Sequence, residues 1–218
     1  LKKVIDIYNK SKKTSLMVGF NRRFSPHAIA IKESLGKVHG AVNIVATMNA
    51  GSISKDHWVN NINIGGGRII GEACHMIDLC VFLSGSLVKS ICANHLENIT
   101  DLESDNVSIM LKFTNGSNAS INYFSNGSKN YSKEKLELFY DEQTWLMNDF
   151  KETTYFGSKK FKNLKTRLDK GHNNQFKKYI KSIKDGSNFL IPINEIINVT
   201  RASFCVLTSL KEKKWVEV

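Results

Sequence analysis

No apolar run in this 218-residue chain reaches the roughly 18 residues a helix needs to cross a bilayer, so no membrane partner is expected. Residues 1–13 alternate lysine with apolar positions and lack the apolar core of a secretory signal. Cys74, Cys80, Cys92 and Cys205 show no CxxC spacing and sit in apolar patterns, the usual setting of reduced core thiols, which predicts a cytoplasmic protein. Without a signal segment, triplets such as Asn98-Ile99-Thr100 and Asn126-Gly127-Ser128 are what an Asn- and Ser-rich sequence yields by chance. Internal repeats, low-complexity tracts and a clear interdomain linker are all missing.

Acid is in deficit as well. Thirty-one Lys and Arg against 20 Asp and Glu leave a formal charge of +11, which would attract polyanions if gathered on one surface. The lysines are scattered instead, and the one dense basic stretch is Lys159-Lys160-Phe161-Lys162-Asn163-Leu164-Lys165-Thr166-Arg167. Nucleic acid is therefore not an expected partner. An apolar fraction of 41% over this length allows one generous domain, or one domain plus part of another, with a sizeable core.

Residues 4–8 carry a short amphipathic helical pattern, and residues 15–20 read as a fully buried strand, together the end of a parallel α/β unit. Ser25-Pro26 then opens a helix to about Leu35, with serine as N-cap and proline at the first helical position. Residues 41–48 alternate as a strand, 49–64 form a polar loop, and 68–83 form a helix stopped by Ser84-Gly85-Ser86. Six strand-like stretches follow, at 87–96, 105–113, 117–124, 135–140, 144–148 and 152–156, joined by hairpin-sized turns. Helices at 173–184 and 194–211 close the chain. The expected fold is α+β: a mainly antiparallel open sheet of about six strands with helices on one face, preceded by a helix-strand stub over residues 1–20.

The chemistry gathers around Gly65-Gly66-Gly67-Arg68-Ile69-Ile70-Gly71-Glu72-Ala73-Cys74-His75-Met76-Ile77-Asp78-Leu79. Glu72, His75 and Asp78 recur at every third position, which on a regular helix places them in one sector among apolar neighbours. A half-buried His75 is suited to take a proton from a substrate hydroxyl, with Asp78 fixing its tautomer or stabilising its charged form; the competing reading is a core histidine bonded to a backbone carbonyl. Glu72-x-x-His75 is also half of a di-metal motif, but no second copy or facing glutamates exist, so no metal is expected. The glycine run departs from a dinucleotide fingerprint, because its last glycine is one place late and a polar loop precedes it. Arg68 at the helix start could assist an anionic or hydroxyl-rich ligand, or be a solvated first-turn side chain. Asn21-Arg22 follows the buried strand at the carboxyl edge where open α/β sheets place ligands; a charged surface turn is the other reading.

Taken together, Val18-Gly19-Phe20-Asn21-Arg22-Arg23-Phe24-Ser25-Pro26, then His57-Trp58, then the glycine-to-helix segment resemble the second part of the Gfo/Idh/MocA oxidoreductases. The hairpin-rich middle and a closing Gly171-His172 helix follow the same order. The resemblance implies a Rossmann remnant over 1–20 and a substrate and oligomerisation domain over 21–218. It implies a catalytic His75 with Asp78 three places on, and a substrate site drawing on Glu72, Arg68, Trp58, His57, Asn21 and Arg22. Asn21 and Arg22 would also approach the cofactor. NAD or NADP is implied for the full-length parent, with none expected on this stretch alone. A sugar or nucleotide-sugar alcohol is the implied substrate, and a homo-oligomer formed through the open sheet the implied assembly. Many members carry aspartate four residues before the histidine; here that place is Gly71, with Glu72 the candidate substitute. The family's Glu-Lys-Pro motif is not in this sequence, so the stretch alone is expected to be inactive, or to be a binding and assembly module that has lost the chemistry.

Overall fold

The structure is a computed structural model and describes residues 1–11, 16–36, 40–54, 56–61, 63–96, 105–158, 161–186 and 190–218. The Asn98-Ile99-Thr100 triplet, Ser15 and the Lys159-Lys160 pair lie outside the described residues. Five helices are described: α1 (Lys2–Lys10), α2 (Pro26–Leu35), α3 (Cys74–Ser84), α4 (His172–Lys184) and α5 (Ile193–Glu212). The strands are β1 (Asn43–Asn49), β2 (Val88–His95), β3 (Asn106–Phe113), β4 (Asn118–Phe124), β5 (Glu134–Tyr140), β6 (Gln143–Asn148), β7 (Glu152–Phe156), β8 (Leu164–Lys165) and β9 (Val216–Glu217).

Period-two alternation decides which side of each strand is buried. Across the sheet, Ile91, Leu111, Ala119, Ile44, Leu138 and Trp145 lie opposite one another in register on the inner face. Ala93, Ile109, Ile121, Ala46, Leu136 and Met147 form the next inner row. These side chains are buried, and with α2, α3 and α5 they make one core. On the outer face the corresponding row is Cys92, Met110, Ser120, Val45, Glu137 and Leu146, and no helix covers it.

The sheet is larger than expected and mixed. Its order is β8-β7-β6-β5-β1-β4-β3-β2-β9. The two-residue strands β8 and β9 extend its edges, and β1 inserts at the centre, parallel to β4 and antiparallel to β5. Hairpin connections predict antiparallel neighbours, but β1 enters after a helix, so no turn dictates its direction.

Residues 16–20 are not a strand, which corrects the parallel-unit reading of that stretch. Its polar groups are satisfied otherwise: the Phe20 N–H donates to Val18 O, the Asn21 N–H to Gly19 O, and Gln175 Nε2 to Val18 O. With its carbonyls used in turns and by a side chain, the apolar run has no ladder to join. Helix α2 starts as expected: Ser25 Oγ accepts the Ala28 N–H at 3.0 Å, with Pro26 at the first position. Helix α3 ends at Gly85, whose left-handed backbone (φ 66°) closes it.

Ser25→Ala removes that cap while leaving the core intact, and its expected cost is about 1 kcal/mol of unfolding free energy. A urea denaturation curve checks this; an unchanged midpoint would mean that Pro26 alone starts the helix.

Candidate functional site

Two consecutive arginines build the site. Asn21 leads into a single 3-10 turn, Arg22–Phe24, and although charged, both arginines are buried. Arg22 turns toward the sheet, where its Nε and Nη2 donate to Glu134 at 2.7 and 3.1 Å. Arg23 turns toward the helices: Nε and Nη2 donate to Asp78 at 3.0 and 2.5 Å, and Nη1 donates to Glu195 on α5 at 2.7 Å. Burial alone would lower the Arg23 pKa, yet Asp78 and Glu195 together raise it, so it stays charged. Burial lifts the Asp78 carboxyl to about 6 against the pull of Arg23, which leaves it ionised at neutral pH.

The loop before α4 locks against this turn. Asn21 Nδ2 donates to Lys170 O at 2.7 Å and Asn174 Nδ2 to Phe24 O at 3.1 Å. Gly171, at φ 87°, fits because it has no Cβ; one there would stand 2.4 Å from Asn21 O and Ser25 N. Lys170 Nζ is thereby delivered to Glu134, the same carboxylate that holds Arg22. Burial would raise Glu134, but the two cations outweigh it and hold the carboxyl below its ordinary range.

His75 stands beside this hub. The helix that carries it does not begin as a regular α-helix, because Ile69–Ala73 make a π turn in which the Cys74 N–H reaches Ile69 O. The wider turn rotates less per residue, so Glu72 is offset from the sector of His75 and Asp78 on the regular helix, and the three meet different partners. Glu72 accepts the Tyr123 hydroxyl at 2.9 Å and pairs with Arg68. His75 meets Phe20 edge-on at 6.1 Å, and its Nδ1 is buried without a hydrogen-bond partner among the described residues. Asp78 is spent on Arg23, so it does not fix the His75 tautomer. Burial, joined by the Arg22 charge, lowers the His75 pKa to about 4 against the opposing pull of Glu134 and Glu72. The imidazole is therefore neutral at pH 7, and of its two nitrogens Nδ1 is the one buried without a partner among the described residues.

The other candidates fall around this centre unequally. Arg68 is buried, donates to Gly51 O at 2.8 Å, and pairs with Glu72 and Asp105. His57 and Trp58 sit on an exposed turn, ring against ring at 5.8 Å, and no contact joins them to His75 among the described residues. The glycines are packing devices: a Cβ on Gly65 would lie 2.4 Å from the Val59 backbone, and one on Gly71 would lie 3.3 Å from Val59 Cγ2. A side chain at either position would collide with or crowd Val59, so both glycines serve the close approach of the two segments. Among the described residues no three His, Cys, Asp or Glu side chains are grouped to hold a metal ion, and no helix is long and apolar enough to cross a membrane.

Sequence reasoning missed Glu134, Lys170 and the site role of His172, which is near enough to bias His75. One signal was present: Glu134, Leu136 and Leu138 share the inward register of β5, which puts a carboxylate into the core.

A model of the GFO/IDH/MocA C-terminal domain matches residues 29–146. A levoglucosan dehydrogenase in complex with NADH and levoglucosan superposes with a TM-score of 0.80 at 20% identity, over 100% of this chain and 70% of that one. An aldose-aldose oxidoreductase from Caulobacter crescentus, complexed with glycerol, gives 0.80 at 15%, over 100% and 68%. An oxidoreductase domain protein from Kribbella flavida gives 0.76 at 16%, over 93% and 66%. At these identities the likeness is one of fold. No curated protein sequence matches the chain.

The lowered pKa carries a stability consequence. The unfolded chain protonates His75 near 6.5 while the folded one waits until about 4, so the unfolded state binds more protons in that window. The stabilisation is full above 6.5 and lost as the pH falls toward 4; Asp78, raised from 3.8 to about 6, works in the opposite sense. Comparison with His75→Asn isolates the histidine: the wild-type chain should lose about 2 to 3 kcal/mol more between pH 7 and 4 than the variant in urea titrations. Parallel losses would mean that His75 titrates normally.

Proposed function

The chain belongs to the GFO/IDH/MocA family, and from that premise we propose that it is the substrate side of an NAD(P)-dependent oxidoreductase acting on a secondary alcohol of a sugar or nucleotide sugar. The observation that carries the reading is the neutral, largely buried His75 imidazole, whose titration is biased by Arg22, Glu134 and Glu72. The relatives of like fold include proteins named for levoglucosan and aldose chemistry, one bound to NADH.

In this mechanism His75 takes the carbinol proton at Nε2 as the carbon gives up its hydride, which leaves a ketone; reduction runs the same steps backward. The nicotinamide, when bound, supplies the hydride acceptor. Its phosphates are held by residues beyond this stretch, which spans 68–70% of the oxidoreductases bound to glycerol and levoglucosan. Residues 1–20 belong with that nucleotide-binding part, 21–218 form the substrate and oligomerisation domain, and the stretch alone turns nothing over. Glu72, steadied by Arg68 and Tyr123, is placed to accept hydrogen bonds from sugar hydroxyls. Asp78 is a positioning residue, acting through Arg23 to hold α3 against the Arg22–Phe24 turn. Asn21 likewise positions Lys170, and Asn21 and Arg22 are the residues assigned to approach the cofactor.

Substitution of His75 by alanine in the full-length protein should lower kcat by ~10²-fold or more while leaving the Kd for NAD(P)H nearly unchanged, given the usual effect of a placed acid-base group. Equal turnover would remove His75 from the chemistry. It would favour the second reading, a binding and assembly module, which Gly71 packed on Val59 in the aspartate's place supports.

The uncovered outer face, with Met110 (48% exposed) and Val45 (36% exposed) flanking Ser120 in the same row, suits a second copy of the chain. Met110→Lys should shift a dimer toward monomer in sedimentation velocity. No shift would place any self-association elsewhere.

A further inference from the structure

Beside the loop leading into α4 lies a cleft of about 530 Å³, lined by Thr166, Arg167, Asp169, Lys170, His172 and Asn173. It reaches the His75 neighbourhood through two of these residues: Lys170 bonds Glu134, and both Glu134 and His172 act on the His75 titration. The loop is firmly set. His27, buried at the start of α2, bridges Thr153 and Thr166 with its two ring nitrogens at 2.8 and 2.9 Å, and Gly171 is pressed on the Asn21–Ser25 turn.

Two cations share one buried carboxylate here. Arg22 and Lys170 contribute +2 and Glu134 −1, a surplus of one positive charge; Arg167 and Asp169 cancel farther along the wall, where Asp169 Oδ1 accepts the Gly171 N–H. Neither Arg22 Nη1 proton has an acceptor among the described residues, and Lys170 Nζ, with one acceptor, has donors to spare. Lys170 is 20% exposed, the least buried member of the trio. In the second group that acts on His75 the balance reverses: Glu72 and Asp105 both pair with Arg68, a surplus of one negative charge. The imidazole therefore feels both a donor-rich positive group and an acceptor-rich negative one.

We propose that the substrate is an acidic sugar whose anionic group, a carboxylate or a phosphate, seats on Lys170 Nζ and Arg22 Nη1 while its carbinol lies at His75 and its remaining hydroxyls meet Glu72. This rests on the dehydrogenase reading above and narrows its substrate class. A charge-assisted contact to two cations anchored by a buried carboxylate adds what a neutral hydroxyl in the same place does not. Lys170 is the specificity-determining residue, since Arg22 is already committed along one edge to Glu134.

The test is calorimetric titration of the full-length protein with glucuronate, glucose 6-phosphate and glucose. At least one acidic sugar should bind tenfold or more tightly than glucose, with a preference that shrinks as salt rises. The tighter of the two identifies the anion as carboxylate or phosphate. In Lys170→Gln the acidic sugar should fall to the level of glucose, and Lys170→Arg should keep the preference, which separates lost charge from lost folding. Glucose bound as tightly as both acids would overturn the inference and leave the dehydrogenase reading standing. A preference that survives Lys170→Gln would overturn the assigned site. Binding of none of the three, together with unchanged turnover in His75→Ala, would overturn both.

Discussion

Everything near the site depends on where the Arg22–Phe24 turn sends its two guanidinium groups. One reaches the sheet through Glu134 and the other reaches α3 and α5 through Asp78 and Glu195, so three elements far apart in sequence meet on three residues of backbone. The Glu134 and Asp78 carboxylates are almost fully buried. Burying such charges is costly, and the pairs repay it only with two-point geometry, which both arginines have. Their value lies less in net stability than in what they forbid: neither α3 nor the α4 loop can shift without leaving a buried charge unpaired. His75 and Lys170 take their positions from that rigidity.

How much of this was legible depended on whether the controlling interaction was local. The Ser25 cap, the stop at Gly85 and the alternation of β2 through β7 are short-range signals, and they were read with boundaries that hold within a few residues. The core rows follow from the same alternation. The parallel pairing of β1 with β4 was not legible, because register between strands some 75 residues apart is written in packing and in no turn. Residues 16–20 misled for the opposite reason: their apolar run suits a strand, but a glutamine from α4 takes the Val18 carbonyl.

At the site, residue identities were more legible than geometry. His75, Glu72, Asp78 and Arg68 were all singled out, yet equal spacing made three of them appear to be one stripe. The π turn offsets Glu72, which faces Tyr123, while on the regular helix after it Asp78 faces Arg23 and His75 meets Phe20. The partners of Arg22 and Arg23 lie 112, 55 and 172 positions away, beyond any spacing rule. Glu134 was the exception, since an inward-facing carboxylate in an apolar strand is a local contradiction that demands a cation.

That contradiction also explains the electrostatic character of the site. An imidazole held neutral by burial and by Arg22 is a weak proton acceptor by itself, with a pKa of about 4. Protonation of His75 becomes easier when negative charge arrives on the Arg22 and Lys170 side, because the guanidinium that depresses it is then partly neutralised. An anionic substrate group bound there would thus raise the basicity of His75 toward the range a general base needs, whereas a neutral ligand would leave it depressed. Recognition and proton transfer would be coupled through one arginine, with Glu134 keeping that arginine in place.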